Sequence, residues 1–495
     1  MNKRYLLFRI LRSIVSIFLV TTITYVLIYT LVPRNTIFKD DSTYSKLKAH
    51  PDELANYENT AFDRMGYIEY LDSRDLVKEV RKEYKEATAK PSKENKSLYQ
   101  KWAKENGWKL GIFPESGRYY ATKDIPLLKR IWNFYSNLIV IDHPWKVKDP
   151  SNPDLKRYLK IENDPMVGWA LVGSGTQYKY QIYFNGQFPF IHQNIIHINL
   201  GTSYPTFSGQ SVSDVLFGGQ GQTVSEEITL ADGKTMRSSA NIYTRQYKDS
   251  NKISSREKAM YHDNYVQTKP NYKDPSMISI SFRMGALAVV IAYLIGVPMA
   301  MVMARLKGKL PDKIGIALVT VMISAPSLAF VYFFRYLGNT LFGLPLSFPT
   351  YGAGDIKSYI LPTFILGFLN VSGLVIWVRR YMIDQQSADY VKFAKSKGLT
   401  SKEISRRHIF KNAVIPIANG IPGSIILSIA GATITETIFA VPGMGKMLPD
   451  AILSHNNPLT VAIVFIFTVV GVLAVLLGDL LMVYLDPRIK LSGGD

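Results

Sequence analysis

The chain has 495 residues, 47% hydrophobic and 20% charged, with a formal net charge of +19, and such a length predicts more than one structural unit. It contains no cysteine, which excludes disulfides, thiolate metal sites and cysteine nucleophiles. The placement of charge argues against a nucleic-acid footprint: residues 35–276 hold about 34 basic and about 29 acidic residues, whereas the rest holds about 24 against about 10, crowded beside apolar runs.

The first apolar run, over about 14–32, follows Lys3, Arg4, Arg9 and Arg12 and has the length of a bilayer crossing. It is longer than a signal-peptide core, and LVPRNTIF after it offers no small-residue cleavage site, so a retained anchor is expected. The positive-inside rule then puts the N-terminus in the cytoplasm and residues 34–276 outside. Within that polar stretch Leu76, Val77, Val80 and Tyr84 share one helical face. Alternation in KYQIYF, and on both sides of Asp232-Gly233, predicts strands and a hairpin. With its many aromatic residues, the stretch is expected to be a packed α+β domain.

Five further apolar runs cover about 278–303, 314–337, 358–378, 413–439 and 459–485. Six crossings place both termini inside, with residues 487–495 as a cytoplasmic tail. The loops then predicted inside carry Arg305, Lys307, Lys309 and Lys313, then a basic series from Arg379 to Lys411, then Arg488 and Lys490, while the short outer loops carry only Lys357 and Lys446. Pro298, Pro326, Pro362 and Pro422 interrupt the runs, which bundled membrane helices tolerate. The expected fold is therefore a membrane α-helical bundle with a large domain inserted between its first two helices.

The inner loop over 389–416, DYVKFAKSKGLTSKEISRRHIFKNAVIP, is longer than a hairpin needs. Residues 389–397 suit a short helix on which Ala394 and Gly398 leave a small-residue docking face, with Gly398 at its C-terminus. Thr400 and Glu403 have capping-box spacing and would start a second short helix carrying Ile404 and His408. The plain alternative is a solvated basic loop.

Near the fifth crossing, residues 442–445 (Pro442, Gly443, Met444, Gly445) form a turn able to line an outer gate or to be an ordinary loop. Glu436 beside it is either a translocation-path carboxylate or a cap for that turn, and Asp479 and Arg283 are equally explained as helix-packing charges. No GxxxxGK[ST] loop occurs: GMGK at 443–446 has Ala440 and Met447 at its required glycine and hydroxyl positions, so the chain is not expected to be an ATPase. The seven histidines show no zinc spacing and no nucleophile elbow is found, so neither a metal site nor catalysis is expected.

The inner loop resembles the EAA loop of binding-protein-dependent ABC permeases, in the spelling of the oligopeptide, dipeptide and nickel branch. The residues that carry this are Asp389-Tyr390-Val391, Ala394, Lys397-Gly398-Leu399, His408, Asn412-Ala413 and Pro416. Asp389 and Tyr390 stand where other permeases have Glu and Ala, as they do throughout that branch. TETIFAVPGMGKML, LLGDLLMVYLDPRIK and HINLGTSYPTFSGQSVSDVLF are similar to further segments of the branch. The resemblance covers the first helix and about 197–490, while residues 35 to about 185 look like the enlarged first external loop of streptococcal-type oligopeptide permeases.

The resemblance implies an importer subunit that couples to ATPases through Asp389, Ala394, Lys397, Gly398, Glu403, His408 and Pro416, with Glu436, Pro442, Gly443 and Gly445 as path or gate candidates. It implies as partners a second permease, two ATPase subunits that bind ATP and Mg, an extracellular peptide-binding lipoprotein, the oligopeptide and membrane lipid, with no nucleic acid. Nickel as cargo, or a membrane-anchored receptor acting through the external domain, are the alternatives.

Overall fold

The computed structural model describes residues 3–39, 41–88 and 91–485. The tail 487–495, with Arg488 and Lys490, lies outside the described residues. The first helix, α1 (Lys3–Leu31), is exposed along most of its apolar face, as a helix solvated by lipid should be. Its C-terminal end enters a polar region built of small sheets and short helices. The helical face predicted around Leu76 forms α2 (Ser73–Val80), which starts where the Asp72 carboxylate accepts from the Arg74 and Asp75 N–H groups and buries Leu76 and Val80. Tyr84 lies beyond its end.

Next come α3 (Leu127–Ser136) and β1 (Ile139–Ile141). A four-stranded antiparallel sheet follows, β2 (Tyr158–Asp164), β3 (Gly168–Ser174), β4 (Tyr180–Phe184) and β5 (Ile191–Gln193), paired in that order. β6 (Ile196–Ile198) returns to pair with β1. The short helix α4 (Val212–Phe217) precedes the hairpin of β7 (Glu226–Thr229) and β8 (Thr235–Ser238), whose turn holds Asp232-Gly233 as the spacing predicts.

In place of disulfides this region has a buried ionic centre. Arg245 is fully buried, with Nε donating to the Tyr265 carbonyl at 2.8 Å, Nη1 to the Tyr180 hydroxyl at 3.1 Å, and an ion pair to Asp263. Lys179 bridges Asp263 and Asp164 at 3.0 and 2.8 Å. Burial pushes the Asp164 carboxyl up, but hydrogen bonds from Lys179, Met166 N–H and Tyr180 outweigh it and leave it below its usual range.

Among the described residues five helices are long and apolar enough to cross a membrane, and a sixth crossing requires one bent pair to act as a single span. The five are α1, α5 (Met277–Arg305), α8 (Lys357–Gln385), α10 (Ser401–Phe439) and α12 (Asn457–Leu485). The run expected over 314–337 is not one straight helix. It is α6 (Leu310–Ser324) and α7 (Ser327–Phe342), bent by 109°. Ala325 is extended there because Pro326 crowds the helical conformation of the residue before it and has no N–H to continue the ladder. Pro298, Pro362, Pro416 and Pro422 stay within their helices.

The bent pair touches both ends of the bundle. At the start of α6, Asp312 is paired in bidentate fashion with Arg379 near the C-terminal end of α8, at 2.7 and 2.8 Å. On α7, Arg335 lies 5.4 Å from the ring centre of Phe439, at the opposite end of α10. Arg9 on α1 and Asp479 on α12 form an ion pair, so Asp479 is a packing charge, while Arg283 is exposed. Replacing Arg245 with Leu takes one of the two cations from Asp263 and the buried donors from the Tyr265 carbonyl and Tyr180 hydroxyl, and is expected to destabilise the sheet region by about 3 kcal/mol. Limited proteolysis of the full chain in nanodiscs checks this, with cleavage expected within 158–270 and the helices left intact.

Candidate functional site

The segment 389–416 begins with α9 (Asp389–Ser396). Gly398 follows at φ +77°, a left-handed conformation that glycine adopts without strain, and the chain turns there. The capping box forms as spaced: the Glu403 N–H donates to the Thr400 hydroxyl, while the Glu403 carboxylate accepts from the Thr400 N–H and hydroxyl at 2.9 and 2.6 Å. The second helix is not short. It widens into a π-turn over Ile404–Ile409 and runs on as Phe410–Phe439, because no residue between Glu403 and Pro416 breaks it.

Part of the expected docking face is covered by the chain itself: Ala394 and Val391 lie in one buried cluster with Val378, Met382, Ile404 and Ile409. A small side chain at 394 lets α9 sit close to the π-turn. The outward face of α9 presents Asp389, Lys392, Phe393 and Lys397, with the Lys397 ammonium 4.5 Å from the Phe393 ring centre. Phe393, 62% exposed, was legible only as an apolar residue at a position where the helix turns outward. Gly398 is exposed, and a Cβ there would meet no atom within 4 Å. His408 and Pro416 are half-buried along the second helix. The base of the knob is fixed by Asp312–Arg379 and by Gln386 Nε2, which donates to the Ala304 carbonyl at 2.6 Å.

At the other end of α10, Glu436 is fully buried and caps the turn. One carboxylate oxygen accepts from the Ser281 hydroxyl at 2.6 Å, the other from the Lys446 N–H at 2.8 Å, and the Met444 N–H donates to the Ser281 oxygen at 2.7 Å. The turn at 442–445 opens α11 (Met444–Leu453), so the carboxylate sits at the positive end of that helix. A Cβ on Gly443 would lie 2.3 Å from the Glu436 carboxyl carbon, and one on Gly445 3.0 Å from an oxygen; only glycine permits this approach. Beside α11 the polar region that precedes α5 docks. Leu200, Val212, Val215 and Leu216 pack with Met444, Met447 and Leu459, the Gln220 amide reaches the Pro442 carbonyl at 3.4 Å, and the Asn456 amide donates to the Ser203 hydroxyl at 2.8 Å.

Between α5, α8 and α10 lies an open cleft of about 380 Å³, lined by Tyr293, Asn370, Gly373, Trp377, Gly420 and Ser424 among others. Its polar atoms are hydroxyls and an amide: Asn370 Nδ2 donates to Ser428 at 3.2 Å, and Tyr293 and Ser424 lie 3.4 Å apart. Cβ atoms on Gly373 and Gly423 would enter open space. These residues escaped the sequence reading because single Asn, Ser and Gly residues in an apolar run carry no signal of which helix face they occupy.

Residues 296–491 match the family described as binding-protein-dependent transport system inner membrane component. The chain is 51% identical over 494 residues to the oligopeptide transport system permease protein AmiC of Streptococcus pneumoniae, covering 99% of each. It is 32% identical over 215 residues to the dipeptide transport system permease protein DppB of Lactococcus lactis subsp. cremoris, 43% of this chain and 70% of that one. DppB of Bacillus subtilis is 30% identical over 213 residues, 43% and 68% of the two chains.

The Gly443 contact makes a specific demand. Gly443→Ala is expected to push the turn off Glu436 and reduce the variant's thermal stability, and shortening the acid in a Gly443→Ala/Glu436→Ala pair is expected to recover part of the loss. Melting curves of the two variants against wild type read this directly.

Proposed function

This chain belongs to the binding-protein-dependent transport system inner membrane components, and from that premise we propose that it carries oligopeptides across the cell membrane as one permease subunit of an ATP-driven importer. The observation that carries the mechanism is the joining of an exposed knob, α9, to a single continuous helix that ends at the Glu436 turn. Six crossings result when α6 and α7 act as one bent span, as their contacts at opposite ends of the bundle support. Both termini are then cytoplasmic, and residues 34–276 belong to the extracellular side.

Separate ATPase subunits bind ATP and Mg and dock on α9 through Asp389, Lys392, Phe393 and Lys397. Gly398 gives the turn, the Thr400–Glu403 box starts the lever, and His408 and Pro416 lie along it. Ala394 holds the knob against its own bundle, so that force on α9 reaches α8 and α10 without being lost in local motion. Rocking of these helices would alternate access to the cleft, which a second permease closes into a pathway. The cleft's hydroxyls and amide, with no charge among the polar groups named above, suit the peptide backbone common to all oligopeptides. The turn of Pro442, Gly443 and Gly445 with Glu436 would act as the outer gate. Resting on it, the external domain would meet an extracellular peptide-binding lipoprotein. The 51% identity over nearly the full length of AmiC supports the oligopeptide cargo.

Phe393→Asp and Gly398→Glu are expected to cut peptide uptake at least tenfold and to weaken ATPase-subunit association, with the bundle still folded; normal uptake in both would overturn the coupling role. Asn370→Leu is expected to slow uptake severalfold while ATPase association is unchanged, measured with labelled peptides in proteoliposomes of the whole complex.

A further inference from the structure

A folded domain in water rarely leaves several large apolar side chains side by side on its surface. Here α3 and the β1–β6 ribbon do so. Leu128 and Trp132, one helical turn apart, are 80% and 72% exposed. On the ribbon Ile139 pairs with Ile198 and Ile141 with Ile196, and all four side chains are exposed on one face. The opposite face is ordinary domain interior, where the ring of His197 stacks on Tyr178 at 4.6 Å.

Position explains the patch. α3 does not sit above α1 but runs down beside it. At its start Arg130 lies between the rings of Tyr29 and Tyr67, at 5.1 and 5.0 Å. Further along, Phe134 meets Tyr25, and at its end the Tyr135 hydroxyl reaches Thr22 at 2.9 Å and the Phe18 carbonyl at 3.1 Å. The apolar span of α1 runs over Leu7–Leu31, so Thr22 and Phe18 both stand within it, below its outer end. Leu138, in the link from α3 to β1, packs with the cluster formed by α12 residues such as Leu459 and Ile463. The charges of this segment are engaged: Lys129 pairs with Glu69 at 3.0 Å and Arg130 is buried.

We infer that α3 and the β1–β6 ribbon are inserted into the outer leaflet, with Leu128, Trp132, Ile139, Ile141, Ile196 and Ile198 facing lipid acyl chains. The occupant is lipid because the patch continues the lipid-facing surface of α1 at the depth of its apolar span. An amphipathic helix with Trp on its apolar face is the usual form of such an interfacial anchor. Within the ribbon β1 and β6 pair along their inner edges, the Asn199 N–H donates to the Leu138 carbonyl at 2.9 Å, and on the outer edge of β6 the Gln193 side chain accepts from the Ile196 N–H at 2.8 Å and donates to the Ile196 carbonyl at 3.0 Å. The inference requires α1 to span the bilayer but does not depend on the cargo.

The absence of cysteine allows a direct test. Leu128→Cys, Trp132→Cys, Ile139→Cys and Ile198→Cys are each spin-labelled in the whole complex, assembled with cysteine-free partners in nanodiscs. Collision with oxygen and with a water-soluble nickel chelate is measured against a lipid-facing control on α5, Leu294→Cys, and an aqueous control, Lys96→Cys. At the four sites the oxygen-to-nickel ratio is expected to match the Leu294 control and to exceed the Lys96 control about fivefold or more. A ratio like that of the Lys96 control would overturn the inference by showing water at the patch. Suppression of both reagents would overturn it by showing protein cover. Peptide uptake by the same variants, measured separately, reports on the transport reading alone.

Discussion

Hydrocarbon offers no hydrogen bonds, and the helical half of this chain is arranged around that fact. Charges at three places within it have been given a partner or a turn. Arg9 meets Asp479 across α1 and α12, and Asp312 meets Arg379 across α6 and α8. Glu436 is enclosed by Ser281 and the backbone of α11. These are also the places where the elements are held in register, because an unpaired charge at such a depth costs several kcal/mol and so resists displacement. The polar contacts therefore decide which helices move together.

Close backbone approach does the complementary work. A Cβ on Gly367 would lie 2.8 Å from the Ala288 carbonyl, and one on Gly478 2.7 Å from the Asn419 carbonyl. Small residues at helix crossings let dispersion act over a large area where no hydrophobic drive exists. Val391 and Ala394 seat α9 in the same buried cluster as Val378 and Met382 of α8 and Ala413 and Ile417 of α10. The Glu436 turn, with the apolar foot of Leu200, Val212, Val215 and Leu216 beside α11, stands at the far end of α10.

Much of this was legible in the sequence, and the limits were physical. Five of the six apolar runs of bilayer length, the capping box at Thr400 and Glu403, and the hairpin at Asp232-Gly233 are local signals that took the expected form. Pro326 was visible, but whether a proline bends or breaks a membrane helix depends on what its neighbours offer the freed carbonyls. Smallness at Ala394 signals close approach without naming every surface that approaches, and the chain's own cluster is one of them. The polar cleft needed three helices at their true rotations. The apolar ribbon was hidden for another reason: alternating isoleucines are the ordinary pattern of a half-buried strand, and only the fold reveals that nothing among the described residues covers them.

The π-turn over Ile404–Ile409 has one more consequence. A π-turn holds an extra residue against the regular spiral, so it offsets everything after it by one place in the helical sequence. One place is about 100° of rotation. Ser424 and Asn370 come within reach of the same cleft with that offset present. If the turn tightened into regular α-helix, the serine-bearing stripe of α10 would swing a quarter-turn or more away, and an apolar stripe would replace it. Winding in this sense sets the polarity of the cleft: a cog of six residues, placed just after the knob, determines which side of α10 faces it.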